Sequence, residues 1–509
     1  MLGSWSTSDE KDPMTETTAT APAKPAPNRW AVLALLGVAQ LMVVLDATIV
    51  NIALPSAQRA LHFSTDSRQW VLTAYALAFG SLLLLGGKLG DLFGRKWTFI
   101  GGLIGFSIAS AIGGLAQSFG MLVAARALQG AFGALLAPSA LSLLTVTFQG
   151  SPDRPKAFGI FGAIAAGGGS LGLLLGGVLT QAVSWRWCLY VNLAIAVPTA
   201  LTALRMLSSE RRADRAPIDL PGVVAGSAGL FALVYGFSNA ETHSWSNPVT
   251  IVALAASAAL LATFIALERR VPHPLLPLHI VRDRARGGAY ASIALAGSAV
   301  FAVFLFLTYY LQQNLGFSPL ATGAAFLPMT GMIVVTSTTV QTRVMHRTGA
   351  KPLVAAGMAM GVIAMLLFTR LTPNADYASH VLPGLILTGM GMGCIFAPAF
   401  STATLGVQAG DAGIASAMVN TSQQVGGSVG TALLSTIFAS AAASFASGHG
   451  AGAALASVHG YTTAFGWAAG IFGVGVLVAL LILPSDGAAR ARVAHAEAHG
   501  DRDFALETA

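Results

Sequence analysis

Charge is scarce in this sequence. Asp, Glu, Lys and Arg make up 10% of its 509 residues, against about 25% in soluble domains. That scarcity, with 54% hydrophobic residues, excludes an ordinary soluble globule. Cysteine is scarcer still. Cys188 and Cys394 are the only two, and their separation gives neither a disulfide framework nor a metal-ligand spacing. No Gly-x-x-x-x-Gly-Lys-Ser/Thr loop occurs, which argues against a nucleotide-driven pump. No His-Glu metal spacing or nucleophile elbow occurs, which argues against a membrane enzyme. The ten histidines lie mostly in loops and tails, among them His243, His273, His380, His449, His495 and His499. The first 28 residues are polar and lack the basic-then-apolar order of a signal peptide. They are expected to form a disordered cytoplasmic tail.

What is abundant is apolar sequence in runs of about 20 residues, each long enough to cross about 30 Å of hydrocarbon as a helix. The runs are continuous rather than alternating, so helices rather than barrel strands satisfy the backbone in lipid. Fourteen helices are expected, near residues 30–54, 69–87, 97–116, 120–146, 157–181, 187–207, 218–238, 248–267, 288–312, 322–341, 353–370, 381–405, 413–440 and 460–483. An even count puts both termini on one side. With the N-terminus inside, the inner segments hold 23 of the 28 Lys and Arg residues and the outer ones hold four, Arg59, Arg68, Arg186 and Arg370. This split predicts cytoplasmic termini by the positive-inside rule. It also explains the net charge of +7 without a nucleic-acid partner.

Two charges fall inside the apolar runs. Asp46 lies in Leu45-Asp46-Ala47-Thr48-Ile49-Val50-Asn51 and Arg126 in Ala125-Arg126-Ala127-Leu128-Gln129. An intramembrane carboxylate is costly and marks an ion path, a proton relay or a substrate counter-ion. Helix rise puts Asp46 roughly 12 Å and Arg126 roughly 9 Å from the outer ends of helices 1 and 4. The similar depth suits a pair, and each charge is tolerable if the other is close.

An internal repeat runs through the chain. Gly133-Ala134-Leu135-Leu136-Ala137-Pro138 matches Gly393-Cys394-Ile395-Phe396-Ala397-Pro398, and Gly168-Gly169-Ser170-Leu171-Gly172 matches Gly426-Gly427-Ser428-Val429-Gly430. Phe93-Gly94-Arg95-Lys96 has a weaker echo in Thr348-Gly349-Ala350-Lys351. The offset spans eight helices, so two six-helix halves with two helices between them fit. The expected division is a tail at 1–28, a first bundle at 29–207, a linker with two extra helices at 208–287, a second bundle at 288–483 and a tail at 484–509. Parallel repeats of this kind build the two bundles of a major facilitator.

Four motifs carry a closer resemblance. The segment around Asp46 resembles a Leu-Asp-x-Thr-x-x-Asn-x-Ala-Leu-Pro signature. The loop Gly87-Lys88-Leu89-Gly90-Asp91-Leu92-Phe93-Gly94-Arg95-Lys96 is similar to Gly-x-Leu-Ala-Asp-Arg-x-Gly-Arg-Lys, with Leu92 in place of an Arg. Arg126, Gln129 and Gly130 resemble Arg-x-x-Gln-Gly. Gly159, Gly168, Gly172, Gly176 and Gly177 fall on the spacing of an antiporter glycine motif, with Leu173 where that motif has Pro. Over residues 29–483 the chain resembles the fourteen-helix drug:proton antiporters of the major facilitator superfamily, the EmrB/QacA type.

The resemblance implies an all-α polytopic major facilitator fold with a 6+2+6 arrangement. It implies proton coupling at Asp46 and Arg126, and a cytoplasmic gating loop using Gly87, Asp91, Gly94, Arg95 and Lys96. Burial raises a carboxyl pKa and a nearby Arg lowers it, so a change in hydration can load and unload a proton. A cationic substrate would compete for the same carboxylate. The alternative is a static ion pair. Helix 9, the repeat partner of helix 1, has Phe301, Phe304 and Phe306 in the matching region and no acid. One proton per cycle is the simplest expectation.

Candidate substrate-cavity residues are polar or aromatic groups inside apolar helices: Tyr75, Gln129, Phe132, Tyr235, Tyr309, Tyr310, Gln312, Asn420, Gln423 and Gln424. Such a lining suits lipophilic cations or neutral compounds. The functional expectation is efflux of drugs or toxic metabolites across a bacterial inner membrane. It needs no cofactor, since the proton motive force drives it. The expected partners are a small lipophilic substrate, protons and the lipid bilayer, with a monomeric transporter and a periplasmic adaptor as a further option. The alternative is a dedicated carrier of one substrate, such as a self-made antibiotic, a lipid or a nutrient.

Overall fold

A computed structural model describes residues 28–63, 70–208, 219–272, 274–405, 407, 411–449 and 452–484. The expected tails at 1–28 and 484–509 and the connection near 209–218 lie almost wholly outside these residues. The first six helices are α1 (Arg29–Leu61), α2 (Trp70–Phe93), α3 (Arg95–Gly114), α4 (Phe119–Thr147), α5 (Arg154–Ala182) and α6 (Trp187–Met206). A hairpin follows, α7 (Leu220–Thr242) and α8 (Pro248–Glu268). The last six are α9 (Arg284–Tyr309), α10 (Leu320–Thr348), α11 (Ala350–Phe368), α12 (Leu382–Ala403), α13 (Ala412–His449) and α14 (Ala453–Ile482). Among the described residues, thirteen helices are long and apolar enough to cross a membrane, and α5, bent by 44° near its glycines, makes a fourteenth if it is taken as one span.

Local chemistry sets the helix starts. Asn28, Ser118, Asp219, Asn247 and Asp283 each cap a first turn by accepting from backbone N–H groups, which satisfies donors that have no intrahelical partner. Several ends run past expectation. α1 continues through Pro55 to Leu61, and α13 reaches His449. Composition marks where lipid ends, not where helical hydrogen bonding ends.

Helices α1–α6 pack mainly on one another, as do α9–α14. The two groups meet along α5 with α10 and α12, and along α2 and α4 with α13. The α7–α8 hairpin lies outside this seam, with α7 against both α2 and α13. The side on which α1 begins is called the near side below, and the opposite side the far side.

Candidate transport site

The glycines of α5 decide how closely the helices approach. A Cβ at Gly172 would run into the Thr48 hydroxyl and lie 3.0 Å from Leu45 O, and one at Gly176 would lie 2.9 Å from Ile49 O. Gly168 meets Leu41 and Val44 in the same way. These three glycines let α5 sit on the α1 turns that carry Asp46. The other two face the second bundle. Gly159 opposes Ser337 and Gln341, and Gly177 opposes Leu320. The motif therefore serves two interfaces at once.

Asp46 and Arg126 are joined. Arg126 Nη1 donates to Asp46 Oδ2 at 2.6 Å, with the two side chains 1% and 0% exposed. Breaking such a buried pair by removing one partner costs about 3–5 kcal/mol, because a lone charge is left behind. Both groups are further satisfied. Arg126 donates to Gln129 Oε1 at 2.9 Å and, through Nε, to Val71 O at 3.3 Å. Asp46 Oδ1 accepts from Gln129 Nε2 at 3.0 Å and from Asn192 Nδ2 at 2.7 Å. The Ser110 hydroxyl accepts from both amides. Five side chains from four helices thus form one polar network around the carboxylate, with Asn192 Oδ1 its one atom left without a hydrogen-bond partner among the described residues. Asn192 and Ser110 were not among the sequence candidates. The signal for Asn192 was a lone amide in the apolar run of α6, the same kind of signal that singled out Gln129.

A cavity of about 450 Å³ lies beside this network, at the seam of the two bundles. Its walls include Gln40, Ala47 and Asn51 from α1, Tyr75 and Phe79 from α2, Phe304 and Gln312 from and just after α9, and Met392 and Phe396 from α12. No Asp, Glu, Lys or Arg lines it among the described residues. Of the ten expected cavity residues, the structure brings six to the wall: Tyr75, Tyr309, Gln312, Asn420, Gln423 and Gln424.

Four are placed elsewhere. Gln129 turns to Asp46 and Ser110. Phe132 fills the space over Gly105 of α3. Tyr235 stacks on Phe231 and meets Trp70 at the α7–α2 contact. Tyr310 is fully buried, its hydroxyl donating to Thr372 O at 2.7 Å. Adjacent helix residues point about 100° apart, so Tyr309 and Tyr310 do not share a wall.

Asp46 does not line the cavity either, although Val43, Val44 and Ala47 around it do. Tyr75 stands between. Tyr75 lines the cavity, and the Arg126 guanidinium carbon lies 4.4 Å from its ring centroid. Contact between a substrate in the cavity and the carboxylate, the basis of direct competition, is therefore absent in this conformation.

On the near side the bundles touch. Gly87 and Gly413 pack backbone to backbone. Asp91 accepts from Gly413 N at 3.1 Å and Ile414 N at 3.3 Å, at the first turn of α13. A carboxylate there complements the helix dipole. Arg95 Nη2 lies 3.7 Å from Asp91. Gly94 enters α3 at φ 92°, in the left-handed region that glycine tolerates. Lys96 departs from the expected role. It donates to Leu204 O and Leu207 O at 3.0 and 2.6 Å, capping α6 within its own bundle. Lys88 donates to Pro274 O and ties the loop to the segment after α8.

Two helical bundles, a cavity at their seam and a closed near side define a membrane carrier. The sequence profile described as Major Facilitator Superfamily matches residues 36–431. The chain belongs to that superfamily, which is one of transporters rather than enzymes. It is 46% identical to the puromycin resistance protein of Streptomyces alboniger over 467 residues, covering 91% of this chain and 92% of that one. It is 39% identical to the cephamycin export protein of Amycolatopsis lactamdurans over 408 residues, covering 80% and 84%. The crystal structure of the human organic anion transporter MFSD10 aligns with a TM-score of 0.61 at 16% identity, covering 89% of this chain and all of that one. The last likeness concerns the fold alone.

Proposed function

We propose that this protein exports small lipophilic antibiotics or toxic metabolites in exchange for protons, by alternating access across the plasma membrane. The observation that carries the reading is the uncharged, largely apolar cavity at the bundle seam, set beside a buried Asp46–Arg126 pair. Apolar walls with a few amides suit lipophilic ligands. A buried carboxylate suits a proton site. The 23 basic residues of the segments expected inside support cytoplasmic termini, and with the near side closed the described conformation then reads as outward-facing. One chain supplies both bundles and acts as a monomer.

Coupling in this reading runs through Tyr75 rather than by contact. A protonated Asp46 leaves Arg126 as an uncompensated cation behind the ring. An ionised Asp46 neutralises it. A cation in the cavity is therefore better tolerated when Asp46 has released its proton, which links binding to release through the field.

A second reading, self-protection export of one antibiotic, is favoured by relatives whose names each specify a single antibiotic. Breadth separates the two. The test is a susceptibility panel in an efflux-deficient bacterial host, with proton release measured in inside-out vesicles. Export of several unrelated lipophilic drugs, lost with Asp46→Asn, supports the first reading, and protection against one drug class supports the second. Proton-dependent export that survives Asp46→Asn would sink the coupling role.

A further inference from the structure

Arg154 stands in the wrong place for its own helix. It is the first residue of α5, where the positive end of the helix dipole disfavours a cation. It is also 5% exposed. Its neighbour Asp153 does not hold it there by capping, since the Asp153 side chain makes no cap hydrogen bond. The repeat offset of 258 aligns Arg154 with Ala412, so no pseudo-symmetric rule demands a base at this corner.

The explanation lies across the seam. Arg154 Nη2 donates to Thr404 O at 3.2 Å and approaches Thr404 Oγ1 at 3.4 Å. Thr404 is the C-cap of α12, where the helix dipole favours a cation and carbonyls lack intrahelical partners. The Phe158 ring, one turn along α5, lies 5.1 Å from the Arg154 guanidinium carbon and holds it in line. Within a few residues, Asp91 of the same bundle caps the first turn of α13. The first bundle thus presents an acid to the start of one helix and a base to the end of the helix before it.

We propose that Arg154 is the second half of the near-side latch. Asp91 and Arg154 grip the α12–α13 corner by opposite dipole ends, and the grip holds the near side shut. Opening the seam strips Arg154 from the α12 C-terminus, while the N-terminal dipole of α5 still disfavours its charge. The latch therefore biases the carrier toward the conformation in which the near side is closed. This inference rests on alternating access and is independent of proton coupling.

The test uses the full chain in nanodiscs, with Cys188→Ser and Cys394→Ser removing native thiols. Two reporters are built separately, Ser416→Cys on the closed near side and Asn51→Cys in the cavity wall. In each, maleimide labelling rates are compared with and without Arg154→Gln. The expected result is labelling at 416 rising and labelling at 51 falling, each roughly threefold to tenfold. Arg154→Lys, which keeps the charge, stays closer to the unmodified rates. Unchanged rates at both positions overturn the proposal. So does a rise at both, which indicates a loosened fold rather than a shifted equilibrium. Loss of drug export in the susceptibility panel has no bearing on these rates, so failure here and failure of the functional reading are distinct.

Discussion

The ring of Tyr75 separates the cavity from the Arg126 guanidinium, whose carbon lies 4.4 Å from the ring centroid. One aromatic side chain is thus both substrate wall and lid on the buried ion pair. Gly130 makes the arrangement possible. A Cβ there would collide with Tyr75 O and lie 2.9 Å from Phe79 N, so a larger residue would push α2 away from α4.

Tyr75→Phe keeps the ring over Arg126 and is expected to retain resistance close to that of the unaltered protein. Tyr75→Ala removes a desolvated cation–π contact worth about 2 kcal/mol and lets cavity water reach Asp46. Drug-independent proton leak in proteoliposomes should then rise severalfold. A leak equal to that of Tyr75→Phe would show that the ring is not a seal.

Asp46→Ala and Asp46→Asn separate stability from coupling. The alanine variant strands the Arg126 charge and should lose about 3–5 kcal/mol, read as a large fall in thermal unfolding temperature in detergent. The asparagine variant imitates the neutral acid and keeps one oxygen that can accept from Arg126, while its NH2 cannot accept from Gln129 or Asn192. It should be markedly more stable than the alanine variant while losing proton-driven export.

Asn192→Ala withdraws a donor from Asp46 Oδ1. A hydrogen bond to a charged group is worth about 1.5–3 kcal/mol. The same change in an Asp46→Asn background should cost less, giving a coupling energy of about 0.5–3 kcal/mol in a double-mutant cycle. Additive losses would mean that Asn192 only packs α6.

Gly172 and Gly101 form a contrasting pair. Gly172→Leu forces α1 and α5 apart at the turn bearing Asp46 and should cost about 1–3 kcal/mol through overpacking, with loss of export. Gly101→Ala meets nothing within 4 Å and should be neutral or stabilising by up to about 1 kcal/mol. Both are read from unfolding temperatures and a transport assay on the same preparations.

Much of the architecture was legible because lipid imposes a simple rule. A backbone in hydrocarbon satisfies itself as helix, so apolar runs counted the helices, and the spacing of Pro138 and Pro398 revealed the repeat. Asp46 and Arg126 were legible for the same reason. A charge in an apolar run is costly enough to demand a partner, and matching depth pointed to which one. The cavity list was only partly legible. Gln129, Phe132, Tyr235 and Tyr310 have the right chemistry, but which way a side chain points depends on helix rotation and on neighbours distant in sequence. Asn192 was missed although its signal was present. Arg154 was counted only as a basic residue of a near-side segment, because its partner is a backbone carbonyl 250 residues away.

The sequence by itself determined the helix count, the repeat and the two buried charges, since each follows from composition or spacing along one chain, and its motifs pointed to the family by resemblance. Tertiary structure alone decided that Asp46 stands behind Tyr75 instead of in the cavity, that Lys96 caps its own bundle, and that Arg154 reaches the end of α12. Those outcomes depend on how helices rotate and approach one another, which is set by packing volume and by polar partners drawn from several helices at once. A linear pattern names the groups that must be paired; close packing in three dimensions chooses the pairs.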